Sequence, residues 1–513
     1  MNDIFFLHYS ADHSVWTHSS YTLGVLITMP TAGGLSNAFG RKPVLVALNV
    51  LFMIGSIGCA YAQSFNQVII SRVIAGLGGG GIVLMGNVIL QDIVPHEHLG
   101  TYLPFVTTSS TVCFAFGGFI GGFLTDHFGW RACFKINILP VFFTLYIYTF
   151  HFKNYPVATT STPLSSSSPS SLSLLSQQEL KSNDTLTIRE KLRTVDFGGI
   201  TLLSIANTCL TCTILLAGEG SFPLNSPLII SAFVSVPLFY TLFFLHQLHW
   251  ASNPLVPRKM LNDRHFTVTC ICGFLSGACE SAALATIPQF LMGVLHFNIS
   301  DSGIWLMLEA MTVPIGCFIA GRYMQHTGRF SRFLLVVTGA YAASQIILNR
   351  WILDTVSIFI GTFGVLLEGF SFGTVTITIL LVVNSTLPSE LAAAAMSLFL
   401  LSRNIGFLSG AASSSAIIQY NLKLLLPTRI DGPDAEKLVK FILSSIRKVY
   451  LLPPEIQDIV ADVLRIALQR ATYFIITASV LMFLMSTRYK NTTFIKKEQD
   501  NSVIDNDDNR PPQ

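Results

Sequence analysis

Apolar residues in this chain fill whole windows rather than alternating or recurring on one helical face. Mostly apolar runs cover roughly 20–36, 44–62, 68–91, 100–124, 132–152, 197–216, 226–249, 266–291, 302–322, 332–350, 355–383, 391–418 and 469–487. Each is near the length of about 20 residues that an α-helix needs to cross a bilayer. A backbone in hydrocarbon must satisfy its polar groups internally, so the pattern predicts an all-α polytopic membrane protein with about thirteen transmembrane helices.

Between the first two runs lies Gly33-Gly-Leu-Ser-Asn37-Ala-Phe-Gly40-Arg41-Lys42-Pro43. Glycines at its two ends would permit a tight reversal, with Arg41 and Lys42 facing water and lipid headgroups. An echo with the same glycine spacing, Gly321 to Gly328, comes 288 residues later. The same loop at corresponding places of two hydrophobic stretches reads as an internally repeated transporter: two pseudo-symmetric helical bundles around a midplane site.

Loop charge assigns sides. Arg41 and Lys42 should face the cytoplasm. On alternation that side also holds 153–195 (Lys153, Lys181, Arg189, Lys191, Arg193), 250–265 (Arg258, Lys259, Arg264), 323–331 (Arg329) and a tail with Arg488, Lys490, Lys496 and Lys497, whereas 63–67 and 217–225 contain no Lys or Arg. The C-terminus is then cytoplasmic, and the count is one helix short of a full first bundle. The expected organisation is a first bundle over 1–152 with five of six helices, a cytoplasmic Ser/Pro-rich linker over 153–195, two additional helices over 196–250, a six-helix bundle over 251–487, and a cytoplasmic tail over 488–513. A lumenal loop over 420–468 would contain two amphipathic segments, Glu436–Lys448 and Pro454–Leu468.

With 51% hydrophobic and 12% charged residues, the chain has about half the charge of an ordinary soluble domain, roughly 25%. A net charge of +3, with basic residues clustered in a few loops rather than along one face, gives nucleic-acid binding little support. Cys209-x-x-Cys212 lacks the second pair or histidine of a tetrahedral metal site, so its thiols read as buried and unpaired. The absence of a Gly-Lys dipeptide excludes a Walker loop. Gly76-x-Gly78-x-x-Gly81 matches a dinucleotide fingerprint in spacing, but inside a helix-length apolar run it reads as close helix packing. No enzymatic activity, cofactor or metal is expected.

Ionisable residues at bilayer depth cost about 2.5–3.5 kcal/mol each on insertion scales and usually face a water-filled path or a partner. Glu280, Glu309 and Glu368 lie inside apolar runs, and carboxylates there can bind a cationic solute or carry protons. Arg72 lies about one turn into its run, where it can snorkel to the membrane face.

The loop Gly33-x-Leu35-Ser36-Asn37-x-x-Gly40-Arg41-Lys42 resembles the signature loop of the major facilitator superfamily. Arg72-Val-Ile-Ala-Gly76-Leu-Gly78, the glycines Gly117, Gly118, Gly121 and Gly122, Trp130-Arg131-x-x-Phe134-x-Ile136-Asn137, Asp196-Phe-Gly-Gly199 and Asn253-Pro-Leu-Val-Pro257 are similar to motifs of its fourteen-helix drug:proton antiporter branch. Leu451-Leu-Pro-Pro-Glu455 looks most like fungal vacuolar basic amino-acid transporters. The resemblance implies a gating role for Gly33, Asn37, Gly40, Arg41 and Lys42, coupling or gating by Arg72, and an antiporter motif with a hinge at 117–122. It places Glu280, Glu309 and Glu368 on the seventh, eighth and tenth core helices, near a central cavity.

Two departures stand out: Asn37 where the family has Asp, and no counterpart of the family's first helix. The implied function is proton-coupled antiport of basic amino acids into the vacuole. The alternatives are proton-coupled drug or toxin export, or a non-transporting membrane sensor or remnant. The partners would be a small cationic solute, protons and the lipid bilayer, the chain acting as a monomer in the vacuolar membrane, the endoplasmic reticulum or the plasma membrane. Asn298-Ile-Ser300 is a possible glycosylation site.

Overall fold

The computed structural model describes residues 11–94, 98–152, 195–219, 226–251, 254–256, 260, 263–297, 299–328, 330–354, 357–386, 392–430, 438–439, 442 and 453–489. One long helix forms for each apolar run: α1 (Ala11–Phe39), α2 (Arg41–Tyr61), α3 (Phe65–Ile93), α4 (Leu99–Phe128), α5 (Trp130–Phe150), α6 (Phe197–Glu219), α7 (Pro227–His249), α8 (Arg264–Gly293), α9 (Ile299–Thr327), α10 (Ser331–Asp354), α11 (Ile358–Thr386), α12 (Ala392–Leu425) and α13 (Pro454–Ser486). Among the described residues, ten helices are long and apolar enough to cross a membrane by length and composition.

The loop expected over 33–43 is a single residue. Gly33 and Asn37 lie in the last turns of α1, Gly40 breaks the helix at φ 90°, and α2 starts at Arg41. The echo ends the same way, with Gly328 at φ 61°. Each of these glycines donates its amide four residues back, Gly40 to Ser36 and Gly328 to Met324. Only glycine adopts this backbone without strain, which explains the repeat better than a loop does.

In the second half, α8 packs on α12 and α13, α9 on α11, and α10 on α11 and α13; in the first, α3 packs on α1 and α2, and α2 on α5. The halves join where α4 meets α9 and α1 meets α12, and the α6–α7 pair leans on α1 and α12. Close approach depends on glycine. A Cβ on Gly76 would sit 2.1 Å from the Tyr21 carbonyl oxygen, and one on Gly78 2.5 Å from that of Leu48. These are the packing glycines expected of that run.

The stretch 420–468 differs from its expected form. α12 continues to Leu425, a short 3-10 turn covers Leu426–Thr428, and α13 begins at Pro454. Pro454–Leu468 is therefore the first half of the last helix. Its apolar side, with Val460, Val463, Leu464, Ala467 and Leu468, packs with Ile418, Leu422 and Leu426 in a common core. That packing explains why an amphipathic rather than wholly apolar sequence stays helical there. The expected linker, the segment 443–452, most of Glu436–Lys448 and the tail beyond 489 lie outside the described residues.

Candidate functional site

Three carboxyl groups that are far apart in sequence meet inside the second half. Glu280 of α8, Glu309 of α9 and Glu368 of α11 each place one carboxylate oxygen within 4.8 Å of the other two. Their relative exposures are 8%, 2% and 0%, so Glu280 alone has any appreciable opening. Two glycines bring them together. A Cβ on Gly369 would lie 2.3 Å from the Glu309 carbonyl oxygen, so α9 and α11 touch backbone to backbone beside both acids. A Cβ on Gly277 would lie 2.2 Å from the Arg403 carbonyl oxygen, which draws α12 onto α8 one turn from Glu280.

The hydrogen bonding around the cluster is sparse. Gln345 of α10 donates from Nε2 to Glu368 Oε1 at 3.2 Å. Oε2 of Glu280 and of Glu309 has no hydrogen-bond partner although both are buried, and Glu368 is met by the Tyr341 hydroxyl as well as by Gln345. Full ionisation is costly. At 4.8 Å and an effective dielectric near 20, each carboxylate pair repels by about 3.5 kcal/mol. Three such pairs reach the scale of a whole domain's stability, roughly 5–15 kcal/mol. The site must therefore hold protons, a cation, or both. The cation whose charge acts on Glu280 is Arg403 of α12, whose guanidinium lies 5.5 Å from the Phe372 ring centroid.

A second cluster sits at the Gly40 end of the first half. Arg41, only 3% exposed, donates from Nε to Asp92 Oδ2 at 2.7 Å, and from Nη1 to Ser36 Oγ at 2.7 Å and Asn37 Oδ1 at 2.8 Å. The expectation that Arg41 faces headgroups is corrected: Asp92 at the end of α3 draws it inward, and Lys42 is half-buried beside it. Asn37 thus supplies the acceptor oxygen without charge. Nearby, the halves close through α4 and α9: a Cβ on Gly321 would lie 2.0 Å from the Gly100 carbonyl oxygen, and Thr101 donates to Gln325 at 2.6 Å.

A family model described as Major Facilitator Superfamily matches residues 5–411. The chain belongs to the Major Facilitator Superfamily. It is 25% identical to the vacuolar membrane amino acid uptake transporter fnx2 of Schizosaccharomyces pombe over 93% of this chain and 78% of that one. It is 23% identical to the vacuolar basic amino acid transporter 2 of Saccharomyces cerevisiae, over 84% and 87%. To the multidrug resistance protein fnx1 of S. pombe it is 25% identical, over 86% and 79%. The solved proton:xylose symporter XylE superposes with a TM-score of 0.56 at 13% identity, over 96% of this chain and 89% of that one. This superfamily chain is a multi-pass membrane transporter with the expected two-bundle fold.

Other expected site residues stay apart from the carboxyl cluster. Arg72 remains in the first half, where its Nε donates to the Thr17 carbonyl at 3.2 Å and its guanidinium lies 5.0 Å from the Tyr21 ring centroid. Gly117 and Gly121 on α4 meet nothing within 4 Å of a built Cβ, whereas Gly406 and Gly410, 289 residues later on α12, press on the Phe274 and Ala278 carbonyls of α8. No described residue therefore packs closely against α4 at 117 and 121. The surroundings of Gly118 and Gly122 are not described, and Asn298 lies outside the described residues.

Arg403, Tyr341 and Gln345 were not singled out by the sequence. The available signals were a lone charge inside the run 391–418, and two polar positions four residues apart on one face of α10.

Proposed function

We propose that this chain exchanges protons for basic amino acids across the vacuolar membrane, loading the vacuole. The observation that carries the reading is the Glu280–Glu309–Glu368 cluster, with carboxylate oxygens mutually within 4.8 Å and the charge of Arg403 acting on Glu280. A proton and a cationic side chain both neutralise these carboxyls, so they compete for one set of charges, and that competition is what exchange requires. The named vacuolar amino-acid transporters among the relatives support the substrate class and the membrane.

In this reading the α4–α9 contact beside Arg41 and Asp92 is the cytoplasmic seal, and the access path opens at the opposite ends of these helices. Arg41, held by Asp92, Ser36 and Asn37, sets how readily the seal breaks. The chain works as a monomer, each copy holding a complete carboxyl cluster.

A second reading, proton-coupled export of drugs or toxins, is favoured by the equal identity to a multidrug resistance protein. Uptake of labelled arginine, lysine and histidine into vacuolar vesicles separates the two. Uptake that needs both the protein and the proton gradient supports amino-acid antiport. Absence of such uptake, with the protein present in the vesicles, overturns it.

A further inference from the structure

We propose that Asn207 is a positioning residue for transport: from the two additional helices it holds α1 at Pro30, the point about which the end of α1 turns. The proposal needs only that the chain is a transporter, and it stands for either substrate class named above.

The sequence of α1 creates the need. In an unbroken α-helix the carbonyl of residue 26 accepts from the amide of residue 30. Residue 30 is Pro30, inside α1, which has no N–H and whose ring crowds the carbonyl four residues back. Leu26 is 0% exposed, so that carbonyl needs a partner from the protein. Another helix supplies it. Asn207 of α6, equally buried, donates from Nδ2 to the Leu26 carbonyl at 3.2 Å. Its Oδ1 accepts from the Tyr240 hydroxyl of α7 at 2.7 Å. Because a carbonyl can only accept, the amide nitrogen must face Leu26, and Tyr240 keeps it turned that way.

α1 is also held differently on the two sides of Pro30. Before it, α1 meets α3 backbone to backbone. A Cβ on Gly24 would lie 2.4 Å from the Val73 carbonyl oxygen, and one on Gly80 2.7 Å from the Val25 Cα. After it, a Cβ on Gly34 would meet nothing nearer among the described residues than Leu255 Cδ2, at 3.7 Å. This looser part carries Ser36 and Asn37, the neutral acceptors of Arg41. The joint between the halves lies at the same place. Leu26 shares a core with Leu203 of α6, Phe243 of α7, and Leu401 and Leu408 of α12, and Asn404 of α12 donates to Met29 Sδ at 3.4 Å.

A rearrangement of the halves that turns the end of α1 about Pro30 re-aims the Leu26 carbonyl. Asn207 fits one aim, so it stabilises this state over the others by its differential contact. Without it a buried acceptor is left unpaired here, which favours states that release the end holding Arg41. α6 and α7 thereby set the rate of transport without touching the solute.

The test uses the full-length protein in detergent, with Asn207→Leu made alone and together with Pro30→Ala. Pro30→Ala returns the missing N–H, so the Leu26 carbonyl no longer needs Asn207. The expected result is that Asn207→Leu lowers the unfolding midpoint clearly in the wild-type background and less than half as much beside Pro30→Ala. Asn207→Leu alone should also speed amide hydrogen exchange over residues 31–39 at least about fivefold, the scale of one unpaired buried acceptor, while leaving α13 unchanged. In vesicles its maximal arginine uptake should fall about fivefold, with the half-saturating concentration changed less than about twofold. Tyr240→Phe, which leaves the place of Asn207 filled, should give the same pattern at smaller size, and it serves where Asn207→Leu yields no monodisperse protein. Equal midpoint losses in the two backgrounds, or unchanged exchange over 31–39, overturns the proposal. So does a raised half-saturating concentration at unchanged maximal rate, which would put Asn207 in the solute site. Absence of arginine uptake by wild type would remove the amino-acid reading alone, since the unfolding and exchange results need no substrate.

Discussion

The carbonyl oxygen of Glu309 occupies the place where a side chain on Gly369 would begin, 2.3 Å from a built Cβ. This backbone contact sets the distance between α9 and α11, and with it the spacing of Glu309 and Glu368. Because the obstruction is backbone, nothing flexible can give way.

Gly369→Ala should therefore separate the two helices and destabilise the second half by roughly 1–3 kcal/mol, as overpacking does. Gly117→Ala meets no neighbour within 4 Å and should be neutral or slightly stabilising, since alanine favours a helix by about 0.5–1 kcal/mol over glycine. Thermal unfolding of both variants in one detergent checks the contrast. Equal losses would mean that the α4 face is covered by something that packs as tightly as α9.

Neutralising one acid of the cluster removes a proton-binding group with little change of shape. Glu280→Gln and Glu368→Gln should each cut gradient-driven arginine uptake at least about tenfold, in line with the roughly 1.5–3 kcal/mol of a lost hydrogen bond to a charged group, while leaving membrane insertion intact. Glu280, the more open of the pair, should also lose substrate affinity. Unchanged pH-dependent uptake in both variants would remove the carboxyls from the mechanism.

At the opposite cluster, Arg41 is buried against one charged and two neutral acceptors. Asp92→Asn leaves the guanidinium buried without a countercharge and should cost roughly 1–3 kcal/mol, less than a fully buried pair because the Asp92 side chain is 20% exposed. Asn37→Asp adds a second carboxylate, should tighten the closed end, and should change turnover more than substrate choice. Initial uptake rates for arginine and lysine in parallel check this. A changed arginine-to-lysine ratio at unchanged rate would contradict a gating role.

The thirteen helices were legible because hydrocarbon demands long apolar windows, and each acid was legible as a misfit within one. Their meeting was not, since no fixed spacing links positions 280, 309 and 368. Gly277 and Gly369, which bring the helices together, look like any other glycines in a membrane run. Arg41 was misjudged for a related reason. The rule that puts cations in loops says which side they lie on, but not that Asp92, across a turn and two helices, draws one inside. The start of α13 was missed because Pro454–Leu468 carries polar residues on one side, and only the core around Leu422 shows that its apolar side is covered by protein.

Arg403 offers the sharpest test of charge balance, because it is the cation whose charge acts on Glu280. Arg403→Gln alone removes the compensating charge and leaves three carboxyls to share the deficit, so folded yield and uptake should both fall. Glu280→Gln in the same chain removes one negative charge along with the positive one. The double variant should recover part of the stability, giving a coupling of about 1–3 kcal/mol in a double-mutant cycle, though not the transport that needs Glu280. Recovery of stability without recovery of uptake would separate the structural work of the pair from its function. Strictly additive losses would mean that the Arg403 side chain acts through other contacts, such as that with the Phe372 ring, and that the carboxyls are balanced by protons or a bound cation alone.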